Sequence, residues 1–364
     1  MKILHVISSL ELGGAQRLLA DLLPIMAEQH DVFLLVNVNV DNEFTSKLEN
    51  AGVHIISMNQ PNFYSVANVW KIVRVMKEVD MDVVHVHLFP TVYWTALASL
   101  FVSVRLIFTE HSTSNKRRGK WYFRPVERFM YGRYDRIISI SSAVQEALVM
   151  WLKARYDDPR FMVVNNGVDL LRFQAHKESA VIESERNLIM VSRFVPSKDH
   201  HTVIRAMLDI PADVHLFFIG DGETMMECQE LVRQLSLENR IKFLGRQEDI
   251  RPWLSKAFLG IQSSKWEGFG LTAVEMMAAG LPVIASNVNG LKQVVEGAGE
   301  LFESGNSKKL AAVVCKILND SNLYKEIQQR CILRAKQFDI HKTCETYLAC
   351  YKKCCNEEIN YSGE

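Results

Sequence analysis

The stretch Ser263–Gly280, SSKWEGFGLTAVEMMAAG, sets Glu267 and Glu275 eight positions apart around Gly268-Phe269-Gly270. A carboxylate accepts several hydrogen bonds, so such a pair suits a hydroxyl-rich ligand. AFLGIQSS before it reads as a buried strand, and LTAVEMMAAG reads as a helix closed by Gly280. The glycines precede that helix, so they are not a hinge inside it. Gly268 to Thr272 offer backbone N–H groups at a helix start, where phosphate or hydroxyl oxygens are held. On one continuous helix the two glutamates would lie about 80° apart. With Glu267 in a loop, both can line one pocket.

Further candidates follow other strand-like runs. After NLIMV, the loop SRFVPSKDHH carries Arg193 and Lys198 before a helix expected near Asp199. A planar guanidinium and a mobile ammonium beside a helix N-terminus suit a diphosphate. The alternative is a pair of solvated loop charges, but the place at a strand's carboxyl end favours the anion site. Gly13-Gly14 follows the first strand and opens a helix, either to admit an anion or as a tight turn. GxGxxG is absent and no suitably placed acid follows the second strand, which argues against a nicotinamide enzyme. His111 follows the strand VRLIFTE, as a structural imidazole or a ligand contact facing a cleft. His85 and His87 form HVH, but a metal would need a third ligand that the sequence does not place. Asp80 and Asp82 form a DxD that precedes its strand, at the wrong end of the sheet.

The elements that carry these residues alternate. KILHVIS, DVFLLVNV, VHIISM, DVVHVH, VRLIFTE, DRIISIS and FMVVNNG are Val- and Ile-rich runs separated by helical patterns such as Ala15–Glu28 and Val66–Val79. This order predicts a doubly wound α/β domain. The apolar pattern fades over Leu171–Arg186 and then restarts with NLIMVS, VHLFFIG, IKFLG, AFLGIQS and PVIAS. We therefore expect a first domain over 1–175, a second over 186–340, and a C-terminal helix and tail over 341–364. Ligands of open α/β sheets bind outside the carboxyl ends of the strands.

Composition bounds the rest. The 364 residues are 48% hydrophobic, with Lys and Arg balancing Asp and Glu at 42 each, so no charge excess points to nucleic acid. The N-terminal MKILHVISSLE reads as a strand rather than a secretion signal, and Leu88–Phe108, broken by Pro90 and Arg105, as a helix and a strand rather than a membrane span. Seven cysteines without a CxxC read as reduced cytosolic thiols. Ser114–Arg136 is basic and aromatic, with Arg117, Arg118 and Lys120 near Trp121 and Tyr122. It suits an anionic membrane surface or a lipid-linked diphosphate acceptor, or else is a solvated helix face.

These residues resemble the retaining, GT-B-fold nucleotide-sugar glycosyltransferases of the glycosyltransferase family 4 group, over nearly the whole chain. EGFGLTAVE looks like that group's E-x7-E motif, and GGAQR, VVNNGVD, SRFVPSKDH, FIGDG and FLGRQEDI follow its order and spacing. Each motif is weak alone, and the series is specific. The resemblance implies an α/β fold of GT-B architecture, two Rossmann-like domains whose parallel sheets face across a cleft, with the C-terminal helix returning to the first domain. It implies Arg193 and Lys198 on the diphosphate, where they would stabilise charge on the leaving group. Glu267 and the backbone of Gly268, Phe269 and Gly270 would hold the donor sugar. The backbone of Leu271 and Thr272 would help to bind diphosphate, and Glu275 the ribose. Gly14 would approach the donor phosphate or acceptor, His111 the reacting centre, and Leu244–Arg246 the base. His111, Arg193, Lys198 and Glu267 are then the expected catalytic set, with no cofactor and no metal. Two departures stand out. Ser192-Arg193-Phe194 replaces the usual Gly-Arg-Leu, and Gln16 stands where the group often has Glu, which makes acceptor details less transferable.

The expected activity is retaining transfer of a sugar from a UDP- or GDP-sugar to a saccharide or lipid-linked acceptor in surface polysaccharide assembly. The expected place is the cytoplasm, peripherally at the inner face of the membrane. The alternatives are a sugar-nucleotide epimerase or phosphorylase of the same fold, and a non-catalytic nucleotide-sugar-binding subunit.

Overall fold

The computed structural model describes residues 1–11, 13–113, 115, 117–174 and 186–356. Most of the expected linker Leu171–Arg186, and the tail from residue 357, lie outside the described residues. The chain divides into two compact units, one of Met1–Gly167 with Ile340–Glu364 and one of Val168–Asp339.

The first unit runs β1 (Lys2–Val6), α1 (Gly14–Ala27), β2 (Asp31–Val36), α2 (Glu43–Asn50), β3 (His54–Ser57), α3 (Ala67–Val79) and β4 (Val83–His87). It continues with α4 (Thr91–Ala98), β5 (Arg105–Glu110), α5 (Phe123–Gly132), β6 (Arg136–Ser139), α6 (Ser142–Leu152) and β7 (Phe161–Val163). The seven strands are parallel, in the order β3-β2-β1-β4-β5-β6-β7. Strands covered on both faces are apolar without alternation, and every residue of β4 is buried. Alternate side chains still go to opposite layers: Leu4 and Val6 to the one that holds α3, Ile3 and Ile7 to the one that holds α1. In α3 the buried Val69, Ile72, Val73 and Met76 recur at helical spacing, and Asp80 closes the helix in the left-handed region at φ 52°. Asn42 caps α2 and Ser141 caps α6 through side-chain oxygens.

The second unit runs α7 (Leu170–Gln174), β8 (Asn187–Val191), a 3₁₀ turn at Pro196–Lys198, α8 (His200–Ala206), β9 (His215–Ile219), α9 (Met225–Gln234) and β10 (Ile241–Phe243). Then come α10 (Arg251–Ser255), β11 (Leu259–Gln262), α11 (Leu271–Ala278), β12 (Val283–Ser286), α12 (Asn289–Val295), β13 (Glu300–Phe302), α13 (Ser307–Leu318) and α14 (Ser321–Ala335). Its six parallel strands have the order β10-β9-β8-β11-β12-β13. Helix α15 (Ile340–Asn356) belongs to the first unit, where Cys344, Tyr347, Tyr351 and Cys354 join the layer that holds α1. All seven cysteines are free thiols. Among the described residues no helix is long and apolar enough to cross a membrane.

Candidate active site

In the second unit the strand order reverses between β8 and β11, and the loops leaving these two strands hold the sequence-predicted cluster. At this reversal neighbouring connections part to opposite faces and leave a crevice. Lys198 ends the 3₁₀ turn after β8, and its ammonium bonds Glu267 Oε2 from the loop after β11. Both side chains are about one-fifth exposed. The backbone reinforces the pairing, for Lys265 N–H donates to Ser197 O at 2.8 Å. An ammonium has three donors, so Lys198 keeps two for an incoming anion. Glu267 Oε1 accepts the Gly268 N–H at 3.2 Å, and lone pairs on both oxygens remain for ligand hydroxyls.

Helix α11 starts in this cluster. Its cap, Gly270, lies at φ 101°, a left-handed conformation that favours glycine, and provides no side-chain cap. The N–H groups of Leu271 and Thr272 have no acceptor among the described residues. Open first-turn donors and the helix dipole favour an anion there. Phe269 is buried edge-on against Phe338 at 5.4 Å, which anchors the loop. Glu275 is half-buried in the second turn of α11. Arg193 is exposed, and its guanidinium has no hydrogen bond or ion pair among the described residues.

The flanking loops hold Arg193 in place. Phe194 N–H donates to Asp221 O at 2.8 Å and Thr224 N–H to Phe194 O at 3.0 Å. Gly220 N–H donates to Gly245 O at 2.9 Å, which ties in the loop that carries the exposed Arg246. A Cβ on Gly220 would lie 1.9 Å from Ser192 O, so the glycine of FIGDG permits this close approach. Phe194, where the family pattern has Leu, is fully buried and stacks on His200 at 4.0 Å. Burial, with the Lys198 charge adding, pushes the His200 pKa down to about 3.

The first unit presents Gly14 and His111 on its own sheet's carboxyl side. Gly14 is exposed and opens α1 after β1. His111 directly follows β5, and burial lowers its pKa to about 4. Its Nε2 lies 3.3 Å from His87 Nδ1, and His87 Nε2 lies 3.1 Å from His5 Nδ1. His85 bonds Tyr351 of α15 through Nδ1, and Thr109 through Nε2 at 2.7 Å. His5 is the third imidazole that the HVH motif lacks in the sequence, in register with His85 across β1 and β4. Of the six ring nitrogens of His5, His85 and His87, only His5 Nε2 lacks a partner among the described residues. The cluster is satisfied by protein hydrogen bonds rather than arranged as empty ligands.

The comparisons with known proteins agree with the fold of the two units. Residues 12–172 match the family described as Glycosyltransferase Family 4, and residues 172–338 match Glycosyl transferases group 1. The chain belongs to this group of glycosyltransferases. It is 26% identical over 327 residues to N-acetyl-alpha-D-glucosaminyl L-malate synthase of Bacillus anthracis, covering 84% of this chain and 85% of that one. It is 23% identical over 349 residues to the N-acetylgalactosamine-N,N'-diacetylbacillosaminyl-diphospho-undecaprenol 4-alpha-N-acetylgalactosaminyltransferase of Campylobacter jejuni, covering 92% and 94%. The crystal structure of Anabaena Alr3699/HepE with UDP and glucose superposes with a TM-score of 0.84 at 24% identity, over 97% of this chain and 99% of that one. These likenesses establish the GT-B fold.

In this glycosyltransferase the second unit brings together Lys198, Glu267 and the 268–272 backbone, while Gly14 and His111 belong to the first unit. The basic stretch differs from the sequence expectation. Arg117 pairs at 2.7 Å with Glu127, which is fully buried and also accepts from Tyr93 Oη and Trp151 Nε1. Arg118 is almost buried against Glu110, which also accepts from Tyr131 Oη. A buried carboxylate needs charge-assisted partners, so these two arginines face inward and are not part of an open basic surface. Ser114 and Lys116 lie outside the described residues.

Proposed function

We propose that this glycosyltransferase moves a sugar from a UDP- or GDP-sugar to a lipid-linked or polysaccharide intermediate, with retention at the anomeric carbon and without a metal ion. The observation that carries this reading is the Lys198–Glu267 contact beside the uncapped start of α11, at the switch point of a six-stranded parallel sheet. The free donors of Lys198, the Arg193 fork and the α11 N–H groups supply the positive field that a leaving diphosphate needs. They do so as fixed protein charges, a role that elsewhere falls to a divalent cation. Glu267 and the neighbouring backbone would accept sugar hydroxyls, and Glu275 those of the ribose. Arg246 stands on a loop that could meet the base.

A lipid-linked acceptor is supported by the Campylobacter relative, whose name specifies a diphospho-undecaprenol carrier. The reading includes peripheral contact with an anionic membrane on its cytoplasmic side. Trp121 is 78% exposed, and Tyr122, Val126 and Phe129 are exposed on or beside α5. Near them lies a depression of about 260 Å³ lined by Arg128, Lys153, Arg155 and Arg160, with Asp158 as its only acid. Aromatic groups at the headgroup level beside cations suit an anionic interface.

The test is transfer by Lys198→Ala and Glu267→Ala, with the fold followed by circular dichroism. Each should lower turnover at least about 100-fold, because Lys198→Ala removes a donor to developing charge and Glu267→Ala removes the carboxylate that positions Lys198 and the sugar. Near-normal turnover in both would refute the site. Incubation with UDP-GlcNAc alone separates transfer from epimerisation, since only an epimerase converts it without acceptor.

A further inference from the structure

His5, His87 and His111 form a line of three imidazoles that runs from β1 across β4 to the end of β5. The His5 and His87 rings are 13° from parallel. Burial lowers the pKa of His5 to about 3 and holds His87 well below its usual value, so these rings are neutral. A neutral imidazole carries one N–H and one bare nitrogen. Each hydrogen bond in the line therefore fixes the tautomer of the next ring, and only two directions exist.

In one direction the His5 proton sits on Nε2, which is buried and has no partner among the described residues. An N–H buried without an acceptor is among the rarest defects in folded proteins, whereas an unfilled lone pair is better tolerated. The other direction leaves only that lone pair. His5 Nδ1–H then donates to His87 Nε2, and His87 Nδ1–H donates to His111 Nε2. His85 cannot divert the line, because Tyr351 and Thr109 occupy both of its nitrogens. His111 is half-buried, and its Nδ1 has no partner among the described residues.

We propose that His5 and His87 are positioning residues that fix His111 in the Nδ1–H tautomer, so that His111 offers a neutral hydrogen-bond donor to a substrate oxygen at the carboxyl end of β5 in the first unit. The inference rests on the proposed function for the identity of that substrate, but the tautomer itself can be read without any substrate.

The experiment uses the full chain with 15N-labelled histidines and long-range proton–nitrogen correlation spectra near pH 7.5, with the His111 signals assigned by their loss in His111→Gln. The expected result is an Nδ1–H pattern for His111 and His87. His5→Leu should release His111 into a tautomer mixture and lower kcat about tenfold, the worth of one hydrogen bond. His5→Asn, whose amide N–H can stand in for Nδ1–H, should restore both. An Nε2–H His111 in the unmodified protein overturns the proposal, as does an unchanged tautomer in His5→Leu. If the relay signature holds while transfer fails with every nucleotide sugar, the proposed function falls and the relay stands.

Discussion

Lys198 and Glu267 form a contact whose proposed use lies with a ligand rather than with the fold. Their ion pair is partly exposed and contributes little to stability. On the proposed reading, it holds an ammonium and a carboxylate in fixed places before a ligand arrives. The buried histidines behave differently. His5 and His200 have pKa values near 3, His111 near 4, and His85 and His87 lie well below the usual range, all mainly through burial. Their folded values are below the unfolded value of about 6.5, so below that pH the unfolded chain takes up protons that the folded chain refuses. Stability is therefore full above about pH 6.5 and is lost as pH falls toward 4, by on the order of 1 kcal/mol per histidine per pH unit. Urea midpoints should drop between pH 7.5 and 5.5; a constant midpoint would count against neutral burial.

At the scale of elements, α12 braces the site. A Cβ on Gly290 would lie 2.3 Å from Glu267 O and 2.8 Å from the Gly268 carbonyl carbon. Gly290→Ala must therefore shift either the start of α12 or the Glu267 loop, because backbone atoms cannot turn aside. We expect a stability cost of about 1–3 kcal/mol and a fall in kcat/KM of about 100-fold, as follows from misplacement by an ångström. Turnover within twofold of the unmodified enzyme would show that the loop is not held this way. The same elements show what was legible beforehand. The alternation of apolar strands and amphipathic helices is local in sequence, and so is the glycine-before-helix order of EGFGLTAVE. His5 was not legible as a partner of His85, because their meeting depends on β1 pairing with β4. Arg117 and Arg118 looked like surface charge, because the strand that delivers Glu110 and the helix face that delivers Glu127 appear only in three dimensions. Phe194 in place of the family's Leu likewise becomes clear once His200 is seen stacked against it.

At the scale of the whole molecule, each unit uses the same device. Its strand order reverses beside its first strand, and polar side chains gather at or beside that reversal: the histidine line in the first unit, the Lys198–Glu267 contact in the second. The exposed aromatic and basic surface proposed to meet a membrane lies in the first unit, and the proposed donor site in the second. Charge reversal of Arg128 and Lys153 together should weaken pelleting with anionic vesicles several-fold at low salt and leave binding to neutral vesicles unchanged. Equal pelleting of the variant and the unmodified protein would remove this surface from the account.

The central claim, that the loops after β8 and β11 hold a nucleoside diphosphate, is tested most directly by calorimetric titration of UDP and GDP into the unmodified protein and Lys198→Ala. At least one of them should bind the unmodified protein, and the variant should bind it at least about tenfold more weakly while its unfolding free energy stays within about 1 kcal/mol. Equal affinity in both proteins, or no binding of either nucleotide, would contradict it.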